Sequence, residues 1–182
     1  MFDCENIRMA TKADAEAVLA IYRKYITDTT VSFETEVPTV EAFEERMEKV
    51  LAGFPWLVYV IDGKVVGYAY ASKHRERAAY RWSADLSVYV MEGFHRQHIA
   101  TKLYSTLLAM LRKQGYYTVY AAVTTPNPRS EAFHKAFGFR TVGVFQNVGF
   151  KLGRWCGVTW FELALREYKD APEEPRGYDA IE

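Results

Sequence analysis

The sequence predicts a mixed α/β domain on one central sheet, antiparallel in its front half and completed by a strand–helix–strand crossover. Three observations carry this. Strand-like runs and amphipathic helical segments follow one another in the order β α α β β β α β α β β. WLVYVIDGKVVGYAYAS holds two β-rich halves around Asp62-Gly63, the dipeptide that a type I′ hairpin turn favours. VYVMEGFHRQHIATKLYSTLLAMLRKQGY leads from a short apolar strand through a polar loop into an amphipathic helix ending on glycine, and YYTVYAAV follows as a buried strand. That crossover makes one parallel pair, right-handed by rule. Strands and helices do not alternate strictly, so this is not a repeating doubly wound sheet.

Taken in order, Asn6 to Ala10 (NIRMA) alternates weakly and reads as the first strand. Thr11 with Asp14 three residues on resembles a capping box. The helix behind it, Asp14 to Ile26, gathers Val18, Ile21, Tyr22 and Tyr25 on one face. TDTTVSFETEVPT is polar and β-branched, a loop. A second helix starts near Thr39 or Val40, with Val40, Phe43, Met47, Val50 and Leu51 at helical spacing, and Gly53 and Pro55 stop it. After the hairpin a strand covers Trp82 to Val90. The helix from Ile99 buries Leu103, Leu107 and Leu111; Arg112 and Lys113 complement its dipole and Gly115 ends it. TTPNPRSEAFHKAFGF is a loop and short helix, and strands follow at Arg140–Gln146 and Val158–Leu165. One domain spans 1–166; the polar tail 167–182, with two prolines, lies on the surface or frays.

Composition narrows the function. The 182 residues are 49% hydrophobic and 25% charged, enough for one well-packed globular domain. Lys+Arg and Asp+Glu both number 23, so the net charge of zero argues against general nucleic-acid or polybasic membrane binding. Cys4 and Cys156 make no disulfide framework, and no His/Cys cluster has metal-ligand spacing, so no metal is expected. No apolar run is long enough to span a membrane, and the N-terminus has no apolar signal core; a cytoplasmic protein is expected.

At the loop after Val90, unpaired helix N–H groups and the helix dipole make a place for phosphate, with His95, Arg96 and Lys102 adding positive charge. Spacing alone equally allows a bare strand-to-helix turn. The segment His95-Arg96-Gln97-His98-Ile99-Ala100 resembles the acetyl-CoA loop of the GCN5-related N-acetyltransferase (GNAT) superfamily, roughly Arg/Gln-x-x-Gly-x-Gly/Ala. TVSFETEVPT, RAAYRWSADLSVYV, NPRSEAFHKAFGF and VGVFQNVGFKLGRW are similar to its phosphinothricin acetyltransferase-like branch, over about Ile7 to Leu165. The resemblance implies the GNAT fold: an α/β, mostly antiparallel sheet of about seven strands with about four helices, strands 4 and 5 splayed.

It also implies a chemistry: acetyl-CoA as co-substrate, a small amino-acid-like primary amine as acceptor, and direct attack on the thioester. An alkylammonium titrates near ~10, so a base must remove its proton at neutral pH. The resemblance puts that base at Asp85, where relatives more often carry Glu; strand alternation places it with Ser87 and Tyr89. A solvent-exposed strand carboxylate is the plain alternative. Val88, Tyr89 and Val90 would pair with the pantetheine arm, and an amide near Val90 would hold the oxyanion. His95, Arg96, Gln97, His98, Ile99, Ala100 and Thr101 form the pyrophosphate loop, with Asn127 and Ser130 steadying the cofactor. His134 either protonates the thiolate, orients substrate, or simply packs. Phe33, Arg75, Arg77, Tyr80 and Thr125 line the acceptor side, with Glu34 and Thr124 nearby; paired arginines suit a carboxylate or phosphinate, or are a solvated charge run. The family implies a homodimer.

Two departures stand out. His98 replaces the first loop glycine, which is tolerable if the backbone there needs no positive φ. Cys156-Gly157 stands where the branch often has His-Asp, with Cys156 expected as a buried, inert thiol. Other readings are an acetyltransferase of a protein N-terminus or a polyamine, or a non-catalytic acyl-CoA-binding module.

Overall fold

The computed structural model describes residues 6–178; Cys4 and the last four tail residues lie outside them. Seven strands form one sheet in the order β1-β2-β3-β4-β5-β7-β6. They are β1 (Ile7–Met9), β2 (Trp56–Ile61), β3 (Lys64–Lys73), β4 (Ser83–Val90), β5 (Thr118–Thr125), β6 (Arg140–Lys151) and β7 (Arg154–Ala164). The helices are α1 (Ala15–Thr27), α2 (Val40–Leu51), α3 (Ile99–Gln114) and α4 (Pro128–Ala136). Only β4 and β5 run parallel.

Local chemistry fixes the ends. Thr11 N–H donates to Asp14 Oδ2 at 2.8 Å, and Arg8 grips the same carboxylate with both terminal nitrogens at 2.7 and 2.8 Å, so the chain turns into α1. Asp62 and Gly63 both take positive φ, as a type I′ turn demands. Gly115, at φ 105°, caps α3.

The sheet is buried on both faces. Leu103, Leu107 and Leu111 of α3 pack on Ala69, Leu86, Val119 and Phe161; Val18, Ile21, Phe43 and Met47 of α1 and α2 pack on Trp56, Val58 and Tyr68. Alternation along β4 therefore sends Leu86, Val88 and Val90 toward α3 and Tyr89 toward α1.

One segment differs from expectation. β6 and β7 extend through QNVGFKLGR to a turn at Leu152-Gly153, φ 50° and 74°. Register shifts between Thr141 and Gly143 and between Phe145 and Gly149 break the period-2 pattern, which hides the strand from a periodicity argument. The tail lies on the surface, one of the two expected readings, and is tied down where it is described. Trp82 Nε1–H donates to Glu173 O, and Gln114 and Arg176 bond reciprocally, each contact 2.8 Å.

Candidate active site

β4 and β5 pair only at Ser83–Asp85 with Thr118–Tyr120. Beyond Asp85 both strands continue unpaired with each other, so a wedge opens between them. Met91 N–H bonds Val66 O, so alternation turns the peptide of Tyr89 toward β3 and those of Val88 and Val90 into the wedge. The three residues expected to act together thus separate: Tyr89 presents its ring, edge-on to Tyr22 and Tyr25, and not its amide.

At the mouth of the wedge lies a cavity of about 470 Å³. Val88, Val90, His95, Arg96, His98, Ile99, Ala100, Thr101, Asn127 and Ser130 line it; Gln97 does not. The first intrahelical bond of α3 runs from Lys102 N–H to His98 O at 2.9 Å, which leaves the amides of Ile99, Ala100 and Thr101 without a helical acceptor. Arg96 and His98 take φ of 64° and 58°, with Gln97 between them on the ordinary side. Such alternation turns successive N–H groups into one concavity, a nest suited to anions. The condition attached to His98 therefore fails: the backbone does take the left-handed form there, at a cost of about 1–2 kcal/mol for a non-glycine residue. His95 is not free to meet an anion through Nε2, which donates to Val90 O at 3.2 Å beside the Tyr25 hydroxyl at 2.7 Å. Sequence reasoning missed Arg129, whose place on the cavity wall supplies a cation from α4, and Tyr25, which pins the end of β4. The dipeptide Pro128-Arg129 opening a helix was the available signal.

Asp85 sits at the apex, in the last residue pair before the strands part. Its Oδ1 accepts from His74 Nδ1 at 2.6 Å. Burial pushes its carboxyl above the ordinary value, and the His74 bond and Arg75 charge pull it back. Arg75 lies over the Trp160 ring at 5.6 Å, and Tyr80 meets His74 edge-on at 5.9 Å. Arg77 caps the 3-10 turn Ala78–Tyr80 and is exposed. Sequence reasoning assigned His74 no role.

Across the wedge, a narrower cleft of about 70 Å³ brings Ser87, Val88 and Tyr89 opposite Asn127, Ser130 and His134. Asn127, not Ser130, caps α4: its Oδ1 accepts from Ser130 N–H at 3.1 Å. His134 is buried with both ring nitrogens engaged. Nδ1–H donates to Ser130 O at 2.8 Å, so in the neutral ring Nε2 accepts from Tyr104 OH at 3.1 Å. Burial lowers its pKa and keeps it neutral.

In the α1–α2 loop, Glu34 is held by Arg46 at 2.7 Å and Tyr22 OH at 3.0 Å, and Phe33 lies on Gly149, where a Cβ would meet its ring at 2.4 Å. Lys151 reaches Ser32 O at 2.6 Å, so the α1–α2 loop is fastened to β6. Thr125 donates to Glu131 at 3.0 Å. Gly157 has a steric cause: a Cβ there would meet Phe145 O and Thr125 Cγ2, each at 2.9 Å. Cys156 beside it is buried and free. Among the described residues no cluster of His, Cys, Asp or Glu is arranged to hold a metal, and no helix is long and apolar enough to cross a membrane.

The sequence matches the acetyltransferase (GNAT) domain over residues 7–160. It is 35% identical to the phosphinothricin N-acetyltransferase of Streptomyces viridochromogenes, over 94% of this chain and 91% of that protein. It is 31% identical to the L-methionine sulfoximine/L-methionine sulfone acetyltransferase of Salmonella typhimurium, over 90% and 96%. The crystal structure of a phosphinothricin acetyltransferase from Sinorhizobium meliloti in complex with AcCoA superposes with a TM-score of 0.90 at 30% identity, covering 96% of both chains. By sequence and by fold, the chain belongs to the GNAT acetyltransferases, in the phosphinothricin acetyltransferase-like branch.

Proposed function

We propose that the protein is an acetyl-CoA-dependent N-acetyltransferase acting on the primary amine of a small amino-acid-like substrate of the phosphinothricin or methionine sulfoximine kind, with Asp85 as general base. One observation carries the reading: the nest at Arg96–His98 lies at the mouth of a wedge into which the amides of Val90 and Val88 turn, and Asp85 stands in the last residue pair where β4 and β5 still meet. Amides of Ile99, Ala100 and Thr101 hold the pyrophosphate with Arg96 and Arg129 beside it. The pantetheine arm pairs with Val88 and Val90 as an added strand, and Asn127 and Ser130 close the other wall.

The acceptor enters as an ammonium ion. Asp85 takes one proton, directly or through a water. The freed nitrogen attacks the thioester carbon, and the Val90 amide region receives the oxyanion. Collapse breaks the carbon–sulfur bond; the second nitrogen proton goes to the departing sulfur, and the first leaves Asp85 for solvent. His134 holds the Ser130 carbonyl and so orients the wall, having no spare donor when neutral. Arg75, with Arg77 and Tyr80 nearby, meets the acceptor's acidic group; a polyamine would be repelled there. The protein acts as a homodimer, joined through the apolar β6–β7 arm.

Free thiol release across a panel of amino acids, their sulfoximine and phosphinate analogues, peptides and polyamines tests the reading. Turnover is expected on the small anionic amines. Asp85→Asn should keep acetyl-CoA affinity and lose about 10²-fold or more in kcat at pH 7. Acetyl-CoA binding without release on any amine would leave a binding module instead, and full turnover by Asp85→Asn would remove Asp85 from its role.

A further inference from the structure

His74 follows directly on β3, and its ring folds back over the Ser72–Asp85 pair. Nδ1 lies 2.6 Å from Asp85 Oδ1, at the short end for a charge-assisted bond. The ring stacks on Tyr120, centroids 4.3 Å apart at 17°, and Tyr120 is the very residue that faces Asp85 in the last parallel pair. Tyr80 and Trp160 meet it edge-on at 5.9 and 6.3 Å. The His74 side chain is 10% exposed and that of Asp85 30%, so the carboxylate, and not the ring, is the open member.

We propose that His74 is a positioning residue for the general base: its Nδ1–H occupies Oδ1 of Asp85, fixes the carboxylate plane, and leaves Oδ2 facing the amine. The proposal rests on the reading of Asp85 as base. It answers a specific difficulty. A half-buried aspartate with one short torsion pair has no inherent aim, and burial favours its uncharged form, which cannot accept a proton. The aromatic cage fixes the ring, and the ring fixes the carboxylate. Other groups bear on Asp85 as well: Arg75 from the same turn, Tyr70 of β3 with Arg46 and Glu34 behind it, and Tyr120 with Glu162 and Arg140 beyond. They are unchanged in the variants below and form a constant background.

His74→Phe keeps the stack and deletes the donor. His74→Asn and His74→Leu are nearly isosteric with each other, and only Asn supplies an N–H near the Nδ1 position. For Phe and Leu, kcat should fall about tenfold or more at pH 7, with KM for acetyl-CoA within about twofold of wild type. The bond lowers the Asp85 pKa, so its loss raises that pKa, and the acid limb of kcat/KM must move to higher pH. Asn should return both kcat and the limb toward wild type. Wild-type kcat and an unmoved limb in Phe and Leu, alongside an inactive Asp85→Asn, overturn the role of His74 and leave the base in place. Full activity in Asp85→Asn overturns the base itself, and this inference with it. If Phe fails to fold, the Asn/Leu pair alone decides: equal limbs in those two overturn the proposal.

Discussion

Two left-handed residues shape the loop before α3, and each is a side chain where glycine is easiest. Arg96 and His98 hold φ of 64° and 58°, and the strain is retained because the alternation aims the amides. A β-branched residue tolerates this backbone least. His98→Val should melt below wild type, since Val adds β-branching to a cost that His98 already bears, and should raise KM for acetyl-CoA, read by thermal melts and initial rates. His98→Gly should keep the cofactor KM. A His98→Val protein that melts and binds like wild type would show that the loop takes another form. The resemblance alone singled out Asp85 and Ala100, and the structure places the first in β4 and the second in the opening turn of α3. His74 was not legible, because its partner lies eleven residues away and meets it only through the β3–β4 register. Gly157 stands in the sequence as a departure from the branch's His-Asp, and only the approach of Phe145 O and Thr125 Cγ2 shows why a small residue belongs there.

At the level of elements, the site depends on how closely α3 approaches the sheet. Gly67 faces the first turn of α3: a Cβ there would meet Ile99 Cγ2 at 2.9 Å and Tyr89 O at 3.3 Å. Gly67→Ala must push the helix start outward, destabilising by about 1–3 kcal/mol and displacing the unpaired amides. Adding Ile99→Ala removes the atom in the way, so the double mutant should lose less than the two single changes summed. Additive losses in denaturant melts would mean that no clash forms. Elements with clean periodicity and strong punctuation appear where the residues put them: α2 after Pro38, α3 from Ile99 to its glycine cap, the hairpin at Asp62-Gly63. The β6–β7 hairpin was under-read, since Asn147 at φ 48° and two register shifts break its alternation. Its length follows from pairing with a partner strand, which local pattern does not encode.

At the scale of the whole molecule, that hairpin leaves an unresolved energetic problem for a lone chain. β6 is the edge strand, and Val142, Val144, Phe145, Val148, Phe150, Leu152 and Trp155 along the arm are all exposed. Phe150 and Trp155, 58% and 64% exposed, pack on each other with ring centroids 5.4 Å apart and on little else. An apolar surface so concentrated on one edge calls for cover, and a second copy would supply the same surface in return through a two-fold contact. A stable contact of this kind buries about 800 Å² per partner, within reach of an arm of two long strands. The arm also holds the acceptor side, through Phe33 on Gly149 and Lys151 on Ser32. Sedimentation at micromolar concentration should therefore give a dimer. Phe150→Asp with Trp155→Asp should yield a folded monomer with an elevated KM for the amine and a smaller change in KM for acetyl-CoA, because the arm fastens the α1–α2 loop while the nest belongs to the β4–α3 loop. A wild-type protein that sediments as a monomer at every concentration would refute the dimer. A dimer that survives both aspartates would place the contact elsewhere on the surface.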